Sequence, residues 1–133
     1  MEGRGNAVIE TFVNPQLERP YVISCETTEF TCLCPRTGQP DFATVRLQYV
    51  PDQRCVELRS LKRYLWGYRT RGVFHEAVCN QILNDLVQQL SPHWMRITLR
   101  FNIRGGIATT VTTQHGVCPQ DAKEITTSQH KLE

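Results

Sequence analysis

The sequence predicts an α+β fold in which two pairs of antiparallel strands enclose two consecutive helices. The first observation behind this prediction is an alternation of apolar and polar residues, with a period of two, on both sides of the middle of the chain. The second is a set of apolar residues three or four apart between them, which is the period of a helix. With 133 residues and 40% hydrophobic side chains, the chain can form one domain, residues 1–133, with its own core.

The first part of the chain combines an irregular segment with a clear strand. Residues 1–20 are polar and punctuated by proline, so we expect an N-terminal arm on the surface, with regular structure from about Tyr21. Within residues 42–50, FATVRLQYV, apolar side chains at 43, 45, 47 and 49 alternate with polar ones at 44, 46 and 48, which predicts a strand with one exposed face. At the other end, we expect residues 117–133 to form a C-terminal tail.

The second strand pair follows the helices. In residues 95–103, MRITLRFNI, the polar side of the strand carries Arg96 and Arg100. The apolar side consists of Met95, Ile97, Leu99, Phe101 and Ile103. Gly105 and Gly106 end this run, and the β-branched residues 107–113 predict its hairpin partner.

Two amphipathic helices are predicted between the strand pairs. The apolar stripe of the first consists of Leu58, Leu61, Leu65 and Tyr68. The stripe of the second consists of Phe74, Val78, Ile82, Leu86 and Leu90. Ser91 and Pro92 end the second helix, so both helices are expected on one face of a four-stranded antiparallel sheet.

Composition restricts the classes of partner. The net charge is only +2, but ten Lys or Arg residues outnumber four acids between Arg46 and Arg104, so this region favours an anion. The start of the chain lacks the apolar segment of a signal peptide, and no stretch approaches the roughly 18 apolar residues of a membrane-spanning helix. We therefore expect a cytoplasmic protein with no membrane partner and with reduced cysteines. The cysteines and histidines lack zinc-ligand spacing, so we expect no metal.

A thiol and a carboxyl group lie on one short turn. In LCPRTGQPDF, the turn residues 35–40 place Cys34 at the end of a strand, and Asp41 follows at the far end of the turn. A lone cysteine is commonly a buried apolar residue and an aspartate is commonly a turn former. The alternative is a nucleophile with a proton donor, in which the apolar Phe42 keeps the carboxyl group of Asp41 protonated.

A histidine and a glutamate begin the second predicted helix. His75 and Glu76 follow Phe74 directly in GVFHE. An acid in the first helical turn complements the helix dipole, which is one reading of Glu76. The other is that its carboxylate accepts two hydrogen bonds from the planar N–H pair of a guanine-like base.

The segment CVELRSLKRYLWGYR resembles the signature of the 7-cyano-7-deazaguanine reductase family, the nitrile reductases of queuosine biosynthesis. The resemblance covers about residues 10–116 and includes LCPRTGQPDF, GVFHE and FNIRGGI in that order. Two positions depart from the family signature, because Arg59 stands where lysine is usual and Arg63 stands where leucine or tyrosine is usual.

The resemblance implies a fold, an assembly and roles for named residues. The fold would be the tunnelling fold, whose subunits close into rings, and short members of this family stack two pentamers. Cys34 would add to the nitrile carbon of a 7-deazapurine to form a thioimide, and Asp41 would donate the proton. The residues that would bind the substrate are Val56, Glu57, Leu58, His75 and Glu76. The residues that would bind NADPH are Leu58, Arg59, Lys62, Arg104 and Gly105.

Two alternatives remain open on the sequence. Some archaeal relatives use the same thioimide to add ammonia to a nitrile on tRNA in the archaeosine pathway, and Arg59 in place of lysine is compatible with such an enzyme. The chain could also be a non-catalytic module that binds a purine or RNA through Arg96, Arg100 and Arg104 on one strand face. For the reductase we expect no nucleic-acid partner.

Overall fold

The computed structural model describes residues 8–119. In chain order its elements are β1 (Thr11–Val13), β2 (Ile23–Leu33), β3 (Pro40–Val50), β4 (Arg54–Val56), α1 (Leu58–Trp66), α2 (His75–Leu90), β5 (Trp94–Arg104) and β6 (Ile107–Gly116). This order confirms the predicted α+β class. Of the predicted C-terminal tail, only residues 117–119 lie within the described part of the chain.

The expectation that regular structure starts near Tyr21 is wrong. β1 lies in the predicted arm and pairs antiparallel with β4, with Thr11 opposite Val56. The main-chain N–H of Glu57 also donates to the carbonyl oxygen of Glu10, at 2.9 Å. A three-residue strand is too short to show a period of two, so the sequence pattern could not reveal it.

The main sheet has four antiparallel strands in the order β2-β3-β5-β6. In its centre, Leu47 of β3 lies between Cys25 of β2 and Ile97 of β5. The register shifts twice, once between Thr27 and Phe30 in β2 and once after Phe101, near the end of β5. The second shift determines where the side chains of the β5–β6 hairpin point.

The core lies between the helices and one face of the main sheet. α2 packs on β5 and β6, and α1 contacts β2. Buried residues of both helices share one cluster with the strands, as the sequence periodicity predicts. Its fully buried members include Val78, Ile82, Leu86, Met95, Ile97 and Leu99.

Three residues predicted for the apolar stripes are exposed instead, and one of them is Leu58, the first residue of α1, which is 59% exposed. Ile103 is 67% exposed, because the register shift after Phe101 turns it out of the alternating pattern. Phe74 is 54% exposed, because it is the N-cap residue of α2 and has extended backbone angles. None of the helices in residues 8–119 has the length and apolar character needed to cross a bilayer.

Candidate active site

A tight turn holds Cys34 at the end of β2. The N–H of Cys34 donates to the carbonyl oxygen of Gln39 at 2.8 Å, and the N–H of Gly38 donates to the carbonyl oxygen of Cys34 at 2.9 Å. Gly38 has a φ of 75°, a conformation that glycine adopts without steric cost. The side chain of Cys34 is half-buried at this turn, so it is not one of the fully buried, inert thiols.

Hydrogen bonds within the turn favour the thiolate of Cys34. The hydroxyl group of Thr37 and then the main-chain N–H groups of Thr37 and Arg36 lower the pKa of the Cys34 thiol, against the opposing effects of burial and of Asp41. The same hydroxyl oxygen accepts the N–H of Gln39 at 3.1 Å. Thr37 is not among the residues predicted for the site, although a threonine within a CPxTG turn is the signal that could have indicated it.

Asp41 lies at the start of β3, where its side chain faces the helices and is almost fully buried. Its carboxylate accepts hydrogen bonds from Nε2 of His75, at 3.1 Å, and from Nη1 of Arg104. Burial raises the pKa of Asp41, but these two donors outweigh burial and hold the pKa below its usual value. The carboxyl group is therefore ionised in this arrangement.

The predicted reason for a protonated Asp41 is wrong. Successive side chains of a strand point to opposite faces, and Phe42 therefore points away from the face that carries Asp41. Phe42 is 50% exposed and provides no apolar wall for the carboxyl group. The role of Asp41 as a proton donor stays a prediction, but it needs another physical basis.

His75 is held in place by a second contact at the start of α2. Its ring stacks on the ring of Phe101, with centroids 3.6 Å apart and planes 7° from parallel. The neighbouring Glu76 is exposed, and its main-chain oxygen accepts a hydrogen bond from Nδ2 of Asn80 at 2.9 Å. A carboxylate thus lies beside the His75 and Asp41 pair and is open to a ligand.

Arg104 reaches Asp41 because of the irregular end of β5. The register shift between Phe101 and Arg104 interrupts the alternation, and Gly105 and Gly106 turn the chain with φ values of 59° and 78°. The prediction that Arg96, Arg100 and Arg104 share one strand face is therefore wrong, because Arg104 leaves that face. This side chain contacts the carboxylate on the helix side of the sheet.

The remaining predicted site residues lie around the start of α1. Glu57 caps this helix, because its carboxylate accepts the N–H groups of Ser60 at 2.7 Å and Arg59 at 3.1 Å. These bonds, with that of Ser60 first, lower the pKa of Glu57. Val56 is buried, and its N–H donates to the hydroxyl group of Tyr49 at 3.0 Å. Arg59 and Leu58 are exposed.

A groove of about 340 Å³ lies between β2 and α1. Its lining is largely apolar and includes Phe30, Leu47, Leu61 and Leu65. Its basic residues are Lys62 and Arg69, and its acidic residues are Glu26 and Glu29. Leu58 and Lys62 are the predicted cofactor-binding residues that line it. The lining contains none of Cys34, Asp41, His75 and Arg104, so one chain presents two separate groups of predicted site residues. Thr31, which lines the groove, donates to the main-chain oxygen of Asp41 at 2.8 Å.

All six cysteines are free, so Cys34 and Cys79 form no disulfide in this structure. Cys79 is fully buried, its thiol lies 3.4 Å from the carbonyl oxygen of Val111, and burial raises its pKa to about 11. Burial likewise raises the pKa of Cys32 to about 11. Within residues 8–119 no three His, Cys, Asp or Glu side chains are grouped as metal ligands.

The chain is similar to a large set of proteins. A family model described as QueF-like protein matches residues 40–120. The NADPH-dependent 7-cyano-7-deazaguanine reductase of Nitrosococcus oceani is 57% identical over 125 residues, which cover 94% of this chain and 97% of that protein. The protein of the same name from Halorhodospira halophila is 56% identical over 115 residues, covering 86% of this chain and 98% of that protein.

A solved structure has the same fold. It is the crystal structure of the archaeosine synthase QueF-Like in the apo form, which superposes with a TM-score of 0.70 at 20% identity. The match covers 77% of this chain and 100% of that chain, and identity at this level supports the fold alone. The family model and the relatives described above establish that the chain belongs to the QueF-like protein family.

Proposed function

We propose that the protein reduces the nitrile group of 7-cyano-7-deazaguanine to the aminomethyl group with NADPH, in the biosynthesis of queuosine in tRNA. The names of the relatives that are 55–58% identical support this substrate and this cofactor. The observation that carries the mechanism is the half-buried Cys34, whose thiolate is favoured by Thr37. Cys34 directly follows β2, and β2 pairs with β3, the strand that carries Asp41. This pairing fits covalent catalysis at a nitrile carbon.

Cys34 is the nucleophile in this proposal. Its thiolate adds to the nitrile carbon, one carbon–nitrogen π bond breaks, and the nitrogen takes a proton to give a thioimide. Asp41 is the candidate donor of that proton, and the ring of His75 holds the carboxyl group of Asp41 by a hydrogen bond. NADPH supplies a hydride in each of two successive reductions, and Cys34 leaves as thiolate before the second.

Two groups of residues would bind the two ligands. His75 and the exposed carboxylate of Glu76 would hold the N–H edge of the base, with Val56, Glu57 and Leu58 on its other side. The apolar groove with Lys62 and Arg69 fits the rings and phosphates of a dinucleotide, and Leu58, Arg59, Arg104 and Gly105 complete our proposed cofactor site.

We also propose the tunnelling fold and a ring assembly, with two stacked pentamers and with residues 1–133 as one domain of each subunit. β2 and β6 are the two edges of the main sheet, so pairing between subunits would remove both edges. Such pairing would place the groove beside β2 of one subunit next to β6 of its neighbour.

Intact mass and NADPH absorbance test the function together. Incubation with the nitrile base should add the mass of one base to the wild type, and addition of NADPH should then remove the adduct while absorbance falls. Cys34→Ala should lose both signals, whereas Cys118→Ala, a control at another half-buried thiol, should keep them. An adduct on Cys34→Ala would exclude this nucleophile.

Ammonia separates this activity from the archaeosine-type reaction. If the wild type forms the adduct but consumes no NADPH, and releases an amidine when ammonia is added, the chain is not a reductase. If no adduct forms at all while the base binds, the non-catalytic module is the better description.

A further inference from the structure

The contacts of Asp41 conflict with its proposed role as an acid. A proton donor must carry a proton, but this carboxylate accepts hydrogen bonds from Arg104 and His75 at the same time. Both donors stabilise the ionised form. The structure therefore shows the acid in a state from which it cannot donate.

The groups that face Asp41 come from four elements, and only one of them carries a permanent charge. Arg104 reaches it from β5, His75 from α2, Cys32 from the opposite position on β2, and Cys34 from the turn. The thiol of Cys32 is neutral at physiological pH, since burial raises its pKa to about 11. A guanidinium group stays charged at any pH a protein experiences. Arg104 is thus the neighbour whose positive charge is always present, and together with His75 it keeps Asp41 ionised.

Arg104 is also the neighbour that is free to leave. Its side chain is 45% exposed, whereas that of Asp41 is 7% exposed. It is followed by Gly105 and Gly106 at the hairpin turn, where an added Cβ atom would meet nothing within 4 Å. His75, in contrast, is stacked on Phe101. A phosphate group near the hairpin could therefore draw the guanidinium away without disturbing the rest of the site.

We propose that Arg104 is a positioning residue that decides when Asp41 can act as the acid. While the guanidinium contacts Asp41, the carboxylate stays ionised. When a cofactor phosphate takes the guanidinium, the buried carboxylate keeps only its contact with His75 and takes a proton from solvent, which it can then donate to the substrate nitrogen. This inference rests on the proposed function, because it needs a phosphate-bearing cofactor beside a proton-consuming step.

The test follows the titration of Asp41 directly. Protein labelled with ¹³C at aspartate carboxyl carbons is titrated by NMR, and Asp41→Asn identifies the Asp41 signal. We expect Arg104→Gln to raise the midpoint of Asp41 by about 1 to 3 pH units, the usual effect of a neighbouring arginine. Arg104→Lys, which keeps the charge, should give a smaller rise. Arg100→Gln should give no rise, because Arg100 lies on the same strand but on the face away from the core, to which Leu99 and Phe101 point.

Saturating NADP⁺ provides the second measurement. It should raise the midpoint of Asp41 in the wild type by a similar amount and cause no further rise in Arg104→Gln. An unchanged midpoint in Arg104→Gln would overturn the inference, and so would NADP⁺ that binds the wild type without moving the midpoint. NADP⁺ that fails to bind the wild type at all would instead overturn the proposed function, and the Arg104→Gln comparison would still report on Arg104.

Discussion

Removing the hydroxyl group of Tyr64 should destabilise the protein through one buried hydrogen-bond network. In this network the hydroxyl group donates to the carboxylate of Asp85 and lies 2.9 Å from the hydroxyl group of Tyr68. Gln81 also donates to Asp85, at 2.8 Å. The network joins α1 to α2, so it holds the helix that lines the groove against the helix that carries His75.

The expected magnitude follows from the charge of the acceptor. Tyr64 is 3% exposed, and Tyr64→Phe deletes a hydrogen bond to a charged group, which contributes about 1.5 to 3 kcal/mol. Asp85 is half-buried, so water can replace part of the lost bond and the lower end applies, about 1.5 kcal/mol. For a chain of this size such a loss corresponds to a fall in Tm of about 6 °C.

Thermal and urea unfolding of Tyr64→Phe, Asp85→Asn and the double variant measure this network. The double variant should be more stable than the sum of the single losses predicts, because the second change removes a bond already broken. Tyr21→Phe is the matched control, since Tyr21 is half-buried and its hydroxyl group donates to the neutral side-chain oxygen of Asn14, and it should cause a smaller fall. Strictly additive losses, or a larger fall in the control, would refute this account of the network.

Three further predictions concern the candidate site. Thr37→Val should raise the pKa of Cys34, so the rate of adduct formation should reach its maximum at a higher pH than in the wild type. Thr37→Ser should restore the wild-type dependence of this rate on pH. Iodoacetamide followed by peptide mapping should modify Cys34 well before the buried Cys32 and Cys79, and a reversed order would contradict the burial described here. Because folding lowers the pKa of Asp41, its contribution to stability is present above its unfolded pKa and is lost as the pH falls; Tm should therefore drop less steeply in acid for Asp41→Asn.

The sequence alone predicted the class of fold and the positions of three strands of the main sheet, β3, β5 and β6. Period-two and period-three-to-four patterns record which side chains face the core, so β3, β5 and both helices follow from them. Cys34 and Asp41 could be paired for a similar reason, because one short turn joins them along the chain. Sequence motifs such as LCPRTGQPDF and GVFHE, which occur in the same order as in the family, then indicated the family to which the chain belongs.

Only the tertiary structure decided the electrostatics of the site. Asp41 and Arg104 are 63 positions apart, and a single register shift in β5 decides that they meet. The stacking of His75 on Phe101 and the groove between β2 and α1 likewise depend on how distant elements pack. A periodic pattern in the sequence indicates which face of a regular element each side chain points to. A one-residue irregularity moves the side chains beyond it to the opposite face, and the pattern does not reveal this. The charged state of Asp41 therefore follows from the packing of the folded chain.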